Sequence, residues 1–425
     1  MKLRNQLLAF FCLIVFAAFG FLYVRTWVVQ KPFGIILFIS DGMVARHLAA
    51  ARLYEGGANY RLGIDSFPHL ALVRNAARDF AVPDDAAAAT ALATGVKVGH
   101  RTLSVDERGQ ALATIFDLAR AQGRGLGLVT TGRLTAPTPA AFFANLADAR
   151  EAEPITKQFM ERANLDVVLA GGADDFLPQK KGGTRADGRD LLAELQGRGW
   201  EIVRSKAELE NAAPYRSHTI AGFFGTDRLA FSNQIESGSQ QPSLADMVRR
   251  AIQFLETQSK GYVLIVDAAH VSLAAQNNEG ERAIAETAAL DHAIATAAKY
   301  AGEKSLILAV GKHSTGGMSL NGYPLAQDHG VALLGVNASG QPAITWATGP
   351  NGPSVPNPSA FAETGATPPP AQTPPESRSE PAAFKTPSAL NTAEDVVAIG
   401  RGDGAEKLHG FLDNTAIFQI LKDAL

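Results

Sequence analysis

Cysteine, net charge and charged residues in general are all scarce in this sequence, and each scarcity excludes something. Cysteine occurs once in 425 residues, at Cys12, so no disulfide can form within the chain. Basic residues do not outnumber acidic ones (39 against 42, net charge −3), which argues against a nucleic-acid-binding surface. Charged residues make up 19% of the chain and hydrophobic residues 46%, a balance that favours a large packed core over disorder.

One long apolar run is present, close to the N-terminus. The chain carries no charge from Leu7 to Val24, which is long enough to cross a bilayer, and two basic residues precede the run. No small-x-small cleavage site is evident before Arg25, although a cleaved signal peptide is the alternative. We therefore predict that residues 1–30 are an uncleaved single-pass anchor that leaves the following domain on the extracytoplasmic side, periplasmic or extracellular.

The rest of the chain alternates apolar runs with helical patterns. The apolar runs are 34–39, 125–129, 262–266 and 305–310; the helical patterns are 112–123, 139–149, 243–257, 280–302 and a last helix from about Asn414 to Leu425. This alternation predicts an α/β fold with a mostly parallel central sheet flanked by helices on both faces. Ligands bind such sheets beyond the carboxyl ends of the strands, where Asp41, Asp267 and His313 are placed.

Composition suggests where the domain is interrupted. We assign residues 31–350 to the α/β domain, with 166–240 as a peripheral extension over the sheet edge. Residues 351–388 are rich in proline, serine and alanine and are predicted to be a flexible insertion. Residues 389–425 are the C-terminal part of the α/β domain.

The most informative stretch runs from Val82 to Lys97 and reads VPDDAAAATALATGVK. It predicts a short helix that Asp84 or Asp85 caps and that ends at Gly95. Such a helix directs unpaired amide donors at whatever lies before its first turn, which favours an anion. The stretch resembles the nucleophile motif of the alkaline phosphatase family, D-S-A-A-S-A-T-A followed by A-T-G-V-K, and the resemblance continues through most of the chain after residue 33.

The resemblance implies phosphomonoester hydrolysis by a serine nucleophile, but Asp85 occupies the serine's position. An aspartate can form a phosphoryl intermediate, and the alternative is that Asp85 only caps the helix. The arginine that would contact phosphate corresponds to Arg150, one residue later than the family spacing; a surface arginine is the alternative. Arg133 also matches the family and is expected to be structural.

The resemblance also implies metal ligands. Asp41, Thr138 and Asp267 match the residues that hold magnesium, with Asp267 in place of a glutamate, so a magnesium site of oxygen ligands is expected. An empty hydrogen-bonded cluster is the alternative. His313 matches a zinc ligand, and Asp41 matches the carboxylate that bridges one zinc and the magnesium.

The remaining zinc ligands are replaced. Ser272, Gln276 and Asn391 stand where the family has aspartate, histidine and histidine, and Lys312 stands where it has aspartate. Because zinc sites use thiolate, imidazole or carboxylate ligands, we predict that the zinc sites are lost. Lys312 is expected to place an ammonium group between Asp41 and Asp85. His270 is considered as a substitute ligand, with an ordinary packed histidine as the alternative.

These substitutions predict a catalytically inactive member, a pseudophosphatase that binds a ligand or partner. A phosphate-containing small molecule and a protein are both considered, nucleic acid is not expected, and family dimers leave a homodimer open. The first alternative is an active metal-dependent alkaline phosphatase at the cell surface or in the periplasm. The second retains a cation at Asp41, Thr138 and Asp267 and uses Asp85 for different chemistry.

Overall fold

The computed structural model describes residues 2–27, 31–162, 164–321, 342–353 and 379–425. The strands of these residues are β1 (Gly34–Ser40), β2 (His69–Arg74), β3 (Gly125–Arg133), β4 (Val167–Gly171), β5 (Glu201–Val203), β6 (Ile220–Phe223), β7 (Tyr262–Ala268), β8 (Leu306–Gly311), β9 (Ser314–Thr315), β10 (Ser319–Leu320), β11 (Ile344–Gly349), β12 (Ala382–Lys385), β13 (Asn391–Thr392), β14 (Val396–Arg401) and β15 (Phe411–Asp413). Their helices are α1 (Lys2–Trp27), α2 (Ala45–Gly56), α3 (Asp85–Thr94), α4 (Ile115–Ala121), α5 (Pro137–Ala140), α6 (Ala152–Arg162), α7 (Leu191–Gly197), α8 (Lys206–Asn211), α9 (Ser232–Glu236), α10 (Leu244–Leu255), α11 (His270–Gln276), α12 (Gly280–Tyr300) and α13 (Thr415–Asp423).

A ten-stranded sheet organises the domain. Its strand order is β15-β2-β14-β8-β1-β7-β3-β4-β6-β5, and every pairing is parallel except those that β14 makes with β2 and β8. The predicted α/β fold with a mostly parallel sheet is therefore confirmed. β1 lies between β8 and β7 near the centre, so the carboxyl ends of these three strands lie side by side.

Two apolar cores, one on each face, explain why β1 is a continuous run of hydrophobic residues. Ile35, Leu37 and Ile39 point into one core, whereas Ile36 and Phe38 point into the other. All five side chains have no exposed surface. A central parallel strand covered by helices on both faces requires this pattern, because neither face meets water. Helices α3, α4 and α13 supply the first core and α10 and α12 the second.

The predicted helix over 139–149 is wrong. Only α5 is helical there, and turns follow it. Other side chains take the carbonyl groups that a longer helix would use: Ser104 Oγ donates to the Ala141 carbonyl (2.6 Å) and Thr114 Oγ1 donates to the Phe142 carbonyl (3.0 Å). These bonds compete with helix continuation.

Residues 166–240 do not lie over the sheet edge as predicted. They extend the sheet itself with three parallel strands, β4, β6 and β5, because the buried apolar run in β4 pairs directly with β3. In the predicted insertion 351–388, residues 354–378 lie outside the described residues. Within its described remainder, β12 pairs in parallel with β11.

Helix α1 carries the long apolar run. Its side chains from Leu3 to Gly20 are exposed, and the segment is apolar and long enough to cross a membrane. Length and composition are compatible with a membrane anchor and equally with a signal sequence.

Candidate functional site

The candidate site lies at the carboxyl edge of the three central strands. Asp41 directly follows β1, Asp267 is the sixth residue of β7, and Lys312 directly follows β8. The register pairs Ile39 with both Asp267 and Val310, which brings the three polar side chains to one point. The sequence predicted such a convergence for Asp41, Asp267 and His313, and His313 directly follows Lys312 at this edge.

Helix α3 contributes Asp85, and the neighbouring Asp84 fixes its position. The Asp84 side chain accepts a hydrogen bond from the Ala87 amide (2.9 Å) and another from the Arg101 amide (2.7 Å), so Asp84 is the helix cap. At the other end, Gly95 adopts a left-handed conformation (φ 71°) that an L side chain rarely adopts. Because Asp84 caps the helix, the alternative in which Asp85 is the cap is wrong, and the Asp85 carboxylate faces the strand ends.

The Lys312 ammonium group occupies the centre of the site. Its Nζ lies 2.8 Å from Asp41 Oδ1 and 2.8 Å from Asp85 Oδ1, and it donates to Thr138 Oγ1 at 2.6 Å. Of the three donors of the ammonium, two form hydrogen bonds with Asp85 and Thr138, and the contact with Asp41 Oδ1 is an ion pair. The Lys312 side chain has no exposed surface. The predicted ion pairs with Asp41 and Asp85 are therefore confirmed.

Burial and charge divide the carboxyl groups of the site into two kinds. Burial raises the pKa of Asp41 to about 7 and that of Asp267 to about 6, and the attraction of Lys312 offsets only part of this effect. For Asp85, burial also opposes ionisation, but Lys312 and the hydrogen bond with His313 hold its pKa well below its ordinary value. The three carboxylates in turn hold the pKa of Lys312 above its ordinary value, although burial acts in the other direction. Asp85 and Lys312 are therefore charged at neutral pH.

His313 connects Asp85 to a network of neutral groups. Its Nε2 lies 2.6 Å from Asp85 Oδ1, and a carboxylate can only accept, so Nε2–H is the donor. Its Nδ1 lies 3.2 Å from Thr315 Oγ1, which also lies 3.0 Å from Ser272 Oγ and donates to Asn391 Oδ1 at 3.2 Å. Thr315 is thus the shared partner of Ser272 and Asn391, two of the four positions predicted as lost zinc ligands.

Gln276, another position at which a zinc ligand is predicted to be lost, makes a backbone hydrogen bond rather than joining this network. Its backbone carbonyl accepts from the Ala389 amide at 2.8 Å, while its side chain lines the site cavity beside Ser272. The side chain of Asn391 is held in place because its Nδ2 donates to the Pro83 carbonyl at 3.0 Å. Hydroxyl and amide groups that bond one another in this way are not zinc ligands.

The three expected magnesium ligands lie around one cavity of about 190 Å³, which Asp41, Asp85, Thr138 and Asp267 line. Asp267 Oδ2 accepts from Thr130 Oγ1 at 2.7 Å, but its buried Oδ1 has no hydrogen-bond partner. An unpartnered carboxylate oxygen beside Asp41 suits a hard cation that keeps several waters. Thr138 Oγ1 and Asp41 Oδ1 both contact Lys312 Nζ, so Asp267 Oδ1 is the oxygen that best fits magnesium, and Asp41 offers only the oxygen that Lys312 does not contact.

A second set of ligand atoms could hold a metal only if Lys312 moved. Among the described residues, the group of three carboxylate or imidazole ligands close enough for one ion is Asp41, Asp85 and His313, whose ligand atoms lie within 4.8 Å of one another. Lys312 Nζ lies in contact with two of these three residues. A protonated amine has no lone pair to donate and repels a divalent cation, so zinc does not fit this arrangement.

The two arginines predicted near the site differ in their surroundings. Arg133 forms ion pairs with Asp174, Asp175 and Asp227, which fits the structural role predicted for it. Arg150 keeps 65% of its side chain exposed and pairs with Asp148. It lines an open cavity of about 560 Å³ together with Asp85, but its described partner is Asp148.

Sequence reasoning missed two functional contacts. Thr130 binds Asp267, and its place directly after a predicted strand was a usable signal, because β3 and β7 pair in parallel with Thr130 opposite Asp267. Thr315 lies two residues after His313 in a stretch whose neighbours matched the family motif. Only the paired strands β9 and β13, which bring Asn391 opposite Thr315, reveal that it joins the replaced residues.

Comparison with known proteins gives a consistent result. The family model described as "Alkaline phosphatase" matches residues 34–425. Alkaline phosphatase 4 of Bacillus subtilis is 30% identical over 60% of this chain and 54% of its own length. The tissue-nonspecific isozyme of Gallus gallus is 27% identical over 74% of this chain and 70% of its own length. The matched region thus spans about half of the first relative and about two thirds of the second.

Solved structures agree on the fold. Thermus thermophilus alkaline phosphatase has a TM-score of 0.72 at 23% identity, covering 93% of this chain and 92% of its own. The enzyme of the Antarctic bacterium TAB5 has a TM-score of 0.71 at 20% identity, covering 93% and 98%. A variant of the TAB5 enzyme has magnesium bound (TM-score 0.69, 20% identity, 93% and 98% covered). A membrane-bound alkaline phosphatase of Bombyx mori is 28% identical over 71% of this chain and 63% of its own length.

Proposed function

Because this chain belongs to the alkaline phosphatase family, we propose that it is a catalytically inactive member that acts by binding a ligand or partner. One observation carries the proposal. The Lys312 ammonium fills the space between the carboxylates of Asp41 and Asp85 and is fully buried there. A positive charge from the chain itself thereby balances carboxylates that would otherwise need a metal ion.

The nucleophile position supports the same proposal. Asp85 Oδ1 is bonded to both Lys312 and His313, so this oxygen is not free to attack phosphorus. A carboxylate at the start of α3 also repels a phosphate dianion. Bringing these negative charges together costs free energy because the site is only partly hydrated. Removal of the nucleophile from a hydrolase lowers the rate by about 10⁶-fold in a well-studied protease.

Loss of zinc belongs to this proposal too. Lys312 displaces a metal from between Asp41 and Asp85, and the hydroxyl and amide groups of Ser272 and Asn391 bond to Thr315. Magnesium differs, because Asp41 and Asp267 offer oxygens that could hold it. There it would supply positive charge to two buried carboxylates, and the inactive assignment is compatible with its presence.

We further propose that the domain is displayed on the extracytoplasmic side of a membrane by α1. The exposed apolar helix supports an anchor, and a similar protein carries "membrane-bound" in its name. The ligand proposed for the inactive domain is a phosphate-containing small molecule or a protein, and a homodimer is compatible with it.

An active phosphomonoesterase is the second candidate, and a specific observation favours it. Asp41, Asp85 and His313 still offer three ligand atoms within 4.8 Å of one another. A divalent ion that displaced Lys312 would find these groups in place. The two candidates therefore differ in whether the purified chain holds zinc.

The test uses the full chain, solubilised in detergent, with Bacillus subtilis alkaline phosphatase 4 assayed in parallel as a positive control. Metal content is measured by mass spectrometry and hydrolysis with an aryl phosphate at saturating zinc and magnesium. We expect no stoichiometric zinc and no turnover above background. Two tightly bound zinc ions per chain, or turnover that is lost in Asp85→Ala, would contradict the proposal.

A further inference from the structure

A further cavity, of about 390 Å³, lies beside His270. We call it the His270 cavity; it is lined by the apolar side chains Leu229, Ile235, Leu244 and Ala289 and by the polar side chains Thr131, His270 and Glu286. Its volume falls within the range of small-molecule sites, which combine an apolar wall with a few polar groups. His270 also lines the cavity of the candidate site.

Three buried polar atoms of residues that line this cavity form no hydrogen bond within the protein. Both ring nitrogens of His270 and the Oγ1 of Thr131 lack a hydrogen bond, although these residues are only 1% and 6% exposed. Each unpaired buried group costs about 1–3 kcal/mol, so proteins seldom leave several of them together. Three such atoms beside one cavity are consistent with a polar ligand there, and the charge of Glu286 bears on which kind.

Glu286 determines the sign of charge that this ligand should carry. Its carboxylate is 7% exposed; Oε1 accepts from the Ser232 amide at 2.6 Å, and Oε2 lies 3.6 Å from His270 Nδ1. In the part of the chain that the structure describes, no lysine or arginine pairs with Glu286, and Lys206 at the cavity mouth pairs with Asp246 instead (2.8 Å). A buried carboxylate whose one described ion-pair partner is a histidine at 3.6 Å favours a cationic ligand.

We propose that the His270 cavity binds a small organic amine. Its ammonium group donates to Glu286 Oε2 and to a ring nitrogen of His270, and its hydrocarbon part packs against Leu244 and Ala289. A bare metal ion fits less well, because Glu286 and His270 supply two ligands and the apolar wall supplies none. The proposal does not depend on whether the neighbouring site is catalytic.

The experiment measures binding to the full chain by titration calorimetry, with cyclohexylamine as the probe and cyclohexanol as its uncharged counterpart. We expect saturable binding of the amine at low millimolar concentration and at least about 10-fold weaker binding of the alcohol, since charge-assisted hydrogen bonds are the stronger ones. Equal affinity for the two compounds, or no saturable binding of the amine, overturns the proposal.

Two variants and one control locate the site. Glu286→Gln should weaken amine binding at least about 10-fold and leave alcohol binding unchanged. Glu236→Gln, the same substitution at an exposed carboxylate on the rim of the same cavity, should leave amine affinity within about twofold. Ala289→Leu, which fills the cavity while Glu286 and His270 remain, should abolish binding and covers the case in which Glu286→Gln does not fold. Amine binding that survives Ala289→Leu, or that Glu236→Gln weakens as much as Glu286→Gln, overturns the assignment.

Discussion

The two cavities that meet at His270 differ in how their buried polar groups are partnered. In the candidate site, Lys312 Nζ contacts oxygens of Asp41, Asp85 and Thr138 and supplies a positive charge to the carboxyl groups, although Asp267 Oδ1 has no hydrogen bond. In the His270 cavity, the imidazole has no hydrogen bond and the carboxylate of Glu286 has no lysine or arginine partner among the described residues. A group that the chain itself satisfies requires no ligand, whereas an unsatisfied one does.

The fold itself explains why the carboxyl groups of the candidate site meet. Asp41 and Asp267 are held at the ends of strands whose register the two cores determine, so both carboxyl groups lie at the same point. A lysine directly after β8 supplies one positive charge 2.8 Å from Asp41. An ammonium group of the chain thereby balances part of the negative charge of the site.

Removal of Lys312 should cause the largest loss of stability. In Lys312→Met, Asp41, Asp85 and Asp267 lose their shared cation, so that these carboxyl groups, like Glu286, have no lysine or arginine partner among the described residues. We expect the free energy of unfolding to fall by about 3–5 kcal/mol, the usual cost of leaving one member of a buried ion pair alone. Urea denaturation at neutral pH measures it.

Lys97→Met is the matched control. Lys97 also pairs with an aspartate at 2.7 Å, Asp413, but both side chains are about 30% exposed. Its loss should cost at most about 1 kcal/mol. If the two variants lose similar amounts, Lys312 does not neutralise the site in solution.

The sequence was sufficient to predict the strands that carry the site and the position of Lys312 between Asp41 and Asp85. β1, β3, β7 and β8 are continuous apolar runs that end in polar residues, and periodicity reports such runs directly. Lys312 was placed against Asp41 and Asp85 because its motif neighbours remained in family order. Charge complementarity then left the ammonium one reasonable position.

What the sequence did not give depends on contacts between distant segments. Helix 139–149 was overpredicted because the side chains that bind its carbonyls, Ser104 and Thr114, lie far away in sequence. The capping role of Asp84 rather than Asp85 depends on which carboxylate Lys312 captures. The His270 cavity has no sequence signature at all, since its walls come from several helices and loops between residues 131 and 292.

Another buried histidine, His47, has an unpaired ring nitrogen but does not line the His270 cavity. His47 has no exposed surface; its Nδ1 accepts from the Val44 amide (3.4 Å), and its Nε2 has no partner. Burial, with a smaller contribution from Arg46, lowers the pKa of His47 from 6.5 to about 4. The unfolded chain therefore binds a proton that the folded chain refuses between these two values, and stability is lost as the pH falls through that window.

The expected loss attributable to His47 between pH 7.5 and pH 5 is about 2 kcal/mol, from 1.36 kcal/mol per pH unit below 6.5. Urea denaturation of the wild-type chain and of His47→Gln at both pH values isolates it, because glutamine does not titrate. The wild-type chain should lose that much more stability than the variant on acidification. Parallel losses would mean that His47 is protonated in the folded chain and is not held neutral by burial.

The smallest expected effect concerns Asp84 and Asp85, the two adjacent aspartates at the start of α3, which stabilise the protein in different ways. Asp84 acts through both carboxylate oxygens, Oδ1 on the Ala87 amide and Oδ2 on the Arg101 amide, whereas Asp85 acts through its charge on Lys312. Asp84→Ala should lower the free energy of unfolding by about 1 kcal/mol, and Asp84→Asn, whose single amide oxygen can keep the bond to Ala87 but not the bond to Arg101, should cost less than Asp84→Ala. Thermal and urea unfolding of both variants check this. If Asp84→Asn costs as much as Asp84→Ala, the bond from the Ala87 amide contributes nothing measurable, and Asp84 does not stabilise α3 as its cap.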